Sequence, residues 1–287
     1  MSNTINLKQK DESIQRMFAA QAQIYTEAKK WMMFRFWVSL FLSLYPVGAY
    51  FSPYLSSLEW TAVVPALLVS FVFPFLFRDF EQKKVATAAS IQQKIDLTLY
   101  EIPWDDEKDG LPPLKQVIED ADSRYKDERD RFRPWYEGVS DIWSLERASL
   151  YCQNQNLWWD AEQRAFFQKL FLWLGLAALL LPLCFASSQN LFLTEYEVKY
   201  LLPTLPLLQF CFEKWEEQRK LSEKQSIKAA EINALMESEI PITRQMIRNN
   251  QDFIFEIRKG TALVPDRIYK WLKKRLSGIV EKSNQHS

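Results

Sequence analysis

Apolar residues along the chain gather into four proline-punctuated runs, arranged as two pairs. They are FWVSLFLSLYPVGAYF (Phe36–Phe51), WTAVVPALLVSFVFPFLF (Trp60–Phe77), LFLWLGLAALLLPLCFA (Leu170–Ala186) and YLLPTLPLLQFCF (Tyr200–Phe212). A short loop joins the members of each pair, and a long polar stretch separates the pairs. Crossing the hydrocarbon core takes about 20 mostly apolar helical residues, within a range of roughly 17–25. The second and third runs meet that length directly. The first reaches it by including Met32 and Met33 with a snorkelling Arg35. The fourth reaches it only if Phe192–Lys199 joins its helix, which brings Glu195, Glu197 and Lys199 to membrane depth. The pattern predicts an all-α membrane protein with two transmembrane helical hairpins, four spans in all. The competing reading is a soluble protein with buried core helices. Pro46, Pro65, Pro74, Pro182, Pro203 and Pro206 all lie in or beside the apolar runs. Inside a soluble helix each would cost about 3 kcal/mol, whereas membrane helices re-satisfy the freed carbonyls through neighbours and local kinks.

Outside the runs the periodicity is helical. Ile14, Met17, Phe18, Gln21, Tyr25 and Ala28 predict a helix leading into the first run, and Ala88, Ile91, Ile95, Thr98 and Ile102 predict one leaving the second. Pro103–Pro113 (PWDDEKDGLPP) reads as a loop. Leu114, Val117, Ile118, Ala121 and Tyr125 predict a further helix, Arg131–Gly138 a break, and Ser144–Lys169 a helix feeding the third run. Glu213–Glu239 is rich in helix formers, with Ile232, Leu235, Met236 and Ile240 on one face. Gly260 is placed to end the helix holding Phe253, Ile254 and Ile257. Pro265 is placed to start another, whose faces are Ile268, Trp271, Leu272, Ile279 and Lys270, Lys273, Lys274, Arg275. That last pattern fits either an interfacial basic helix or packing on a cytosolic bundle. The expected division is 1–30 as an N-terminal cytosolic helix, 31–80 as the first hairpin, 81–165 as a cytosolic helical region, 166–213 as the second hairpin and 214–287 as a cytosolic C-terminal helical arm. Val63–Lys84 and Leu201–Lys220 share an early proline, an apolar run, inner-end aromatics and an E-Q-basic-basic string, the form of a weak parallel repeat.

Charge sets the expected orientation. Ser52–Glu59 carries no Lys or Arg and Ser187–Lys199 only Lys199, while Lys29, Lys30, Arg35, Arg78, Lys83, Lys84, Lys169, Lys214, Arg219 and Lys220 flank the runs on their other ends. Basic flanks stay cytoplasmic, so both termini and the central region are expected on the cytoplasmic side of the bacterial inner membrane, with only two short loops outside. The net charge of zero conceals a division: Glu101–Arg147 holds 14 acidic and 8 basic residues, Arg258–Ser287 8 basic and 2 acidic. The basic tail would be drawn to an anionic leaflet or a nucleotide-type anion. Hydrophobic residues make up 48% of the chain, yet mean hydropathy is −0.25, so the apolar content is concentrated in the runs. Met1–Lys30 is polar and does not read as a cleavable leader.

The chain offers little for catalysis. His286 is its one histidine, Cys152, Cys184 and Cys211 have no metal-like spacing, and there is no G-x-G-x-x-G, P-loop or H-E-x-x-H motif. No enzyme activity, cofactor, metal or nucleic-acid polymer is expected. Asp105, Asp106, Glu107 and Asp109 lack calcium-loop spacing and read as a solvated acidic loop. LYCQNQNLWWDAEQRAFF (Leu150–Phe167) is the densest signature. Helical spacing makes Trp159 and Gln163, and Asp160 and Arg164, neighbours. Amides, Trp faces and an Arg could read a base and a phosphate. The plainer reading is a helix entering the membrane with Trp158 and Trp159 at the interface. Arg124, Arg129, Arg131 and Arg133 before Trp135–Tyr136 are interleaved with acids and read as a salt-bridged, solvated helix.

Ala19–Lys30 (AAQAQIYTEAKK), Ile91–Asp105 (IQQKIDLTLYEIPWD), the Trp135–Tyr136 pair and Tyr151–Arg164 (YCQNQNLWWDAEQR) occur in an order that resembles the bacterial S-4TM family, pore-forming effectors associated with cyclic-oligonucleotide-synthesising antiphage systems. The family often has Phe-Asp at Ile95–Asp96, Trp-Asn at Trp104–Asp105 and Gln-Arg at Gln153–Asn154. The resemblance implies a homo-oligomeric membrane effector that binds a cyclic oligonucleotide and permeabilises the lipid bilayer. Within the shared stretches, Trp104, Asp105, Trp135, Tyr136, Gln153, Asn156, Trp158, Asp160 and Arg164 are the ligand-contact candidates. Glu195, Glu197 and Lys199 are the candidates for polar pore or cavity lining, since ionisable groups at membrane depth face a cavity or a partner. The rival expectation is a membrane-anchored scaffold or regulator that binds a protein partner and conducts nothing.

Overall fold

The computed structural model describes residues 3–52, 54, 61–127, 132, 134–260 and 263–264, without side-chain placement for 74–78. All regular structure among them is helical. In chain order the elements are α1 (Ile5–Lys8), α2 (Glu12–Tyr50), α3 (Val63–Phe71), α4 (Phe73–Leu99), α5 (Asp106–Asp109), α6 (Lys115–Arg124), α7 (Leu145–Ser188), α8 (Leu193–Tyr196), a π-turn (Glu197–Leu201), α9 (Leu202–Glu237) and α10 (Arg244–Arg258). The expected helix after Pro265 lies outside the described residues, as do Arg129, Arg131 and Arg133.

Prolines decide where the apolar runs stay continuous. Pro65 and Pro74 fall in the first turns of α3 and α4, where a missing N–H is lost to no one, and Pro203 directly follows the π-turn inside a continuous helical stretch. The second run is therefore divided at Val72, between α3 and α4, and is not one straight helix. Pro46, Pro182 and Pro206 lie inside α2, α7 and α9. Among the described residues two helices, α2 with 39 residues and α7 with 44, are long and apolar enough to cross a membrane. At about 1.5 Å per residue, either exceeds the roughly 30 Å hydrocarbon core. Phe192–Lys199, on which the fourth run depends, is helical from Leu193 onward through α8 and the π-turn into α9.

The chain forms two compact units. A polar unit comprises Met1–Ala28, Gln82–Gln163 and Leu221–Ser287, and an apolar unit comprises Lys29–Glu81 and Arg164–Lys220. The four longest helices each give one segment to each unit.

The polar unit is built on the faces the periodicity predicts. Phe18, Ile91, Ile95, Leu99, Tyr136 and Cys152 belong to one buried cluster, with Ile118 and Ala121 of α6. Thr98 is exposed, and the inward face of α4 runs through Ala88, Ile91, Ile95 and Leu99 instead. Glu101 adopts φ 56°, and Ile102 N–H donates to the Leu97 carbonyl at 2.9 Å. This is the six-to-one closure of a Schellman ending, with a non-glycine residue in the left-handed position. A second cluster joins Leu150 and Leu157 of α7 to Ala229 and Ile232 of α9 and Ile254 of α10.

In the apolar unit, Leu42 of α2 packs on Ala66 and Val69 of α3. Ala186, Tyr196 and Tyr200 pack with Val47 and Phe185. Phe210 is ringed by Phe36 (5.7 Å between centroids) and Phe171 (5.9 Å), with the Arg35 guanidinium 5.5 Å from its face. Its outer surface is apolar: Phe34, Trp37, Phe41 and Leu44 make an exposed stripe on α2, and Leu172, Trp173, Leu176, Leu180, Leu181 and Leu183 lie exposed on several sides of α7.

Candidate functional site

One carboxylate organises the interior of the polar unit. Asp96 shares the buried side of α4 with Ile95 and Leu99 and is wholly enclosed. Its Oδ1 accepts from the Tyr136 hydroxyl at 2.6 Å. Its Oδ2 accepts from Arg258 Nη1 at 2.5 Å and Gln251 Nε2 at 3.1 Å. The Tyr136 hydroxyl accepts in turn from Tyr100 at 3.0 Å and Asn156 Nδ2 at 2.7 Å. Gln251 also donates to Gln93 at 2.8 Å and accepts from Gln153 at 3.2 Å, and Gln153 donates to the Ile247 carbonyl at 2.9 Å. Gln93 donates to Asp109 at 2.8 Å, and Asp109 takes a second bond from Arg248 Nη2, also at 2.8 Å.

Charge and burial fix the protonation states. Burial, reinforced by the Asp96 charge, pushes the Tyr136 hydroxyl well above its ordinary value, and burial with Tyr136 and Asp96 does the same to Tyr100. Burial opposes the Arg258 charge, but the Asp96 carboxylate outweighs it and holds the guanidinium above its ordinary range. Burial, then Asp96, raises the Cys152 thiol well up, so it stays a neutral thiol and an inert one. The carboxylate accepts three bonds in an enclosed setting. It serves to tie α4, α7, α10 and the Tyr136 loop together, not to meet a substrate.

The network reaches the surface at Arg248. This residue donates to the Pro103 carbonyl at 3.4 Å and pairs with Asp252 at 2.7 Å. It also lines a cleft of about 270 Å³, together with Glu101, Ile102, Pro103, Asp105, Lys108, Arg244 and Gln245. Glu101 is held by Lys8 at 2.5 Å. The Lys8 bond and charge keep its carboxyl below the usual range. Among the described residues the ion pairs of Arg244 and Lys108 are long, to Glu146 at 3.9 Å and Asp252 at 3.7 Å, and both cations line the cleft.

The sequence-selected residues divide among several places. Tyr136, Gln153 and Asn156 meet in the Asp96 network. Asp105 lines the cleft and caps α5 by accepting from Glu107 N–H at 3.0 Å; Trp104 beside it donates to the Gly110 carbonyl at 2.8 Å. Trp135 stacks on Phe18 at 4.8 Å within the core, and Trp158 packs against the cluster of Leu150, Leu157 and Ala229. Asp160 accepts from Gln225 at 2.6 Å. Arg164 belongs to the apolar unit, where it donates to Gln218 at 3.1 Å. Glu195 accepts from the Phe192 N–H at 3.4 Å, Glu197 is exposed and Lys199 half-buried, all at the start of the fourth helix. The acidic loop needs one correction. Asp106 and Glu107 are solvated, but Asp109 is buried, because Gln93 and Arg248 supply it with donors. Sequence reasoning missed Asp96, Gln93, Arg248, Gln251 and Arg258. The available signal was a run of amides and ions at buried helical spacing: Gln93 and Asp96 among Ile91 and Ile95, Arg248 and Gln251 among Ile247 and Ile254. Among the described residues no set of His, Cys, Asp or Glu is gathered to hold a metal ion.

The profile of the SMODS-associating 4TM effector domain matches residues 3–286. The chain belongs to that family. The chain is also similar to a protein described as a probable CBASS effector molecule of Bacillus cereus (strain VD146), 23% identical over 276 residues that cover 93% of this chain and 92% of that protein. No solved structure matches the chain. Membership in a 4TM effector family and two helices fit to cross a bilayer together mark the protein as membrane-associated.

Proposed function

We propose that this protein is an antiphage effector of the CBASS type, which receives a cyclic oligonucleotide on its polar unit and permeabilises the bacterial inner membrane as a homo-oligomer through its apolar unit. The observation that carries the reading is the surface of α7. Eight large apolar side chains from Leu172 to Leu183 are turned outward in a member of a 4TM effector family. Burying such side chains is worth about 1.5–3 kcal/mol each, so a water-facing α7 would be strongly disfavoured. The four apolar runs then cross as two hairpins, with both termini and the polar unit on the cytoplasmic side where the basic flanks lie.

The cleft beside α10 supports the sensing half. An anionic ligand there would meet Arg244 and Lys108, and would draw on Arg248, whose other bonds lead through Asp109 and Gln93 to Asp96. Binding shifts the conducting equilibrium only to the extent that it favours that state. No step calls for catalysis. The test is reconstitution into liposomes loaded with a self-quenched dye, with cyclic di- and trinucleotides added from outside. The expected result is nucleotide-dependent leakage that Arg244→Glu with Lys108→Glu abolishes. Nucleotide binding with no leakage would favour the scaffold reading.

A further inference from the structure

Building on the membrane-permeabilising reading, we propose that water and ions cross the apolar unit along a buried hydroxyl line, Ser39–Ser43–Thr204 with Ser70 beside it. The line is closed toward the cytoplasmic flank by Phe210, beyond which lies the Glu81–Lys214 charge cluster.

The hydroxyls are turned into the bundle, where such groups bond across helices or hold water. Ser39 and Ser43 are one turn apart on the inward side of α2, Ser70 lies on α3 and Thr204 on α9, and all four are at most 5% exposed. Thr204 donates to the Tyr200 carbonyl at 2.8 Å, which uses its one proton. In the 3.1 Å pair between Ser43 and Thr204, Ser43 is therefore the donor. The Ser39 and Ser70 oxygens have no hydrogen-bond partner among the described residues. A buried polar group left unpaired costs about 1–3 kcal/mol, and a file of water removes that cost. Polar groups turned into a membrane bundle are the usual lining of a transport path.

The same side of α9 carries the line onward. Thr204, Leu207, Cys211, Lys214 and Gln218 recur at three- and four-residue spacing and are all buried. Lys214 pairs with Glu217 at 2.9 Å and Arg35 with Glu213 at 2.8 Å. Glu81 is buried nearby, and its Oε1 has no hydrogen-bond partner among the described residues. Between hydroxyls and charges stands Phe210, enclosed by Phe36 and Phe171. Such an apolar constriction gates by excluding water, and withdrawal of the Phe210 ring joins the two polar zones.

The path is tested in planar bilayers on protein carrying Cys184→Ala and Cys211→Ala, with cyclic di- and trinucleotides in the cytoplasmic chamber and a cationic, membrane-impermeant thiosulfonate as the probe. Ser39→Cys, Ser43→Cys and Thr204→Cys are expected to lose more than half their current on exposure. Leu181→Cys, exposed on α7, is expected to lose none. Ser39→Asp is expected to raise cation over anion permeability several-fold. Currents that flow while all three cysteines stay insensitive overturn the path and leave the permeabilising function standing. No current from the parent protein overturns both. Where the cysteine proteins fail to insert, Phe210→Ala decides: a several-fold rise in nucleotide-independent leak supports the gate, and an unchanged leak overturns it.

Discussion

The two units invert each other. The polar unit encloses Asp96, Asp109 and Arg248 and gives each a charged or amide partner, while its Leu111 and Leu114 stand in the open. The apolar unit encloses Ser39, Ser43, Ser70 and Thr204 and turns leucines, phenylalanines and tryptophans outward. A shared chain sustains both arrangements because the interior of each is set by what surrounds it. Water tolerates the polar unit's charged exterior and rewards burial of Phe18 and Ile95. Lipid offers outward apolar side chains nothing worse than a protein core, so the apolar unit's inside is free to be the polar place.

The sharpest way to break the comparison is to strip the polar unit of a charge partner. Arg258→Met leaves Asp96 in an enclosed site with only neutral donors. Removing one member of a buried pair costs about 3–5 kcal/mol. Hydrogen exchange on detergent-solubilised full chain should show α4 and α10 opening more readily by that amount, with the apolar unit's helices unaffected. Asp96→Leu combined with Arg258→Met should recover part of the loss. Full protection in the single variant would mean that the pair holds nothing together.

The mirror experiment places a charge on the lipid side of the apolar unit. Leu180→Arg on α7 should reduce membrane insertion, at a cost of about 2.5–3.5 kcal/mol near a span's centre. Leu111→Lys, on the polar unit, should change stability by no more than about 0.5 kcal/mol. Both leucines are exposed, at 50% and 85%. Equal, small effects at the two positions would put the same solvent around both units.

Tyr136→Phe is a gentler cut. It removes the hydroxyl shared by Asp96, Tyr100 and Asn156 and leaves the ring in the core, so about 1–3 kcal/mol is expected. The readout is the exchange protection of α7 around Asn156, where loss of one donor to Asp96 should be felt least at the far Gln93–Asp109 end.

What could be read in the chain follows the same divide. Ile14, Phe18, Ile91, Ile95 and Ile118 announced their helices because a single buried side repeats at 3.6 residues. Most of the interior of the polar unit was illegible because its buried positions hold Gln93, Asp96 and Gln251, residue types that composition assigns to a surface. Their partners lie up to 162 residues away, as in Arg258 and Asp96, and no local period encodes such a pairing. Tyr136 and Asn156 were found because they sit in dense aromatic and amide motifs. Arg258 stood in a stretch that read as a basic tail.

The smallest test sets two glutamates against each other. In the polar unit, burial of Glu27 works to raise its carboxyl, but the bonds from Lys84 and Gln23 and the charges of Lys84 and Arg124 prevail and hold it below the ordinary value. Its partnered form stabilises the fold above about pH 4.3, the ordinary glutamate value, and that contribution fades as pH falls through the lower folded value. Glu81, just past the second apolar run, is shifted the other way, chiefly by burial and further by Glu217 and Glu213, against the pull of Lys214 and Arg35. Its folded form binds the proton more readily than the unfolded chain. Ionised Glu81 therefore weakens the fold above its folded value, and acidification relieves that cost. At pH 7, Glu27→Gln should lower the stability of its unit by about 0.2–1 kcal/mol, while Glu81→Gln should leave its unit unchanged or slightly firmer. Exchange protection measured at pH 7 and again near pH 5 separates the two, with Glu81→Gln losing its advantage on acidification. Destabilisation of equal size by both substitutions would show that Glu81, like Glu27, is an acid whose partners outweigh its burial.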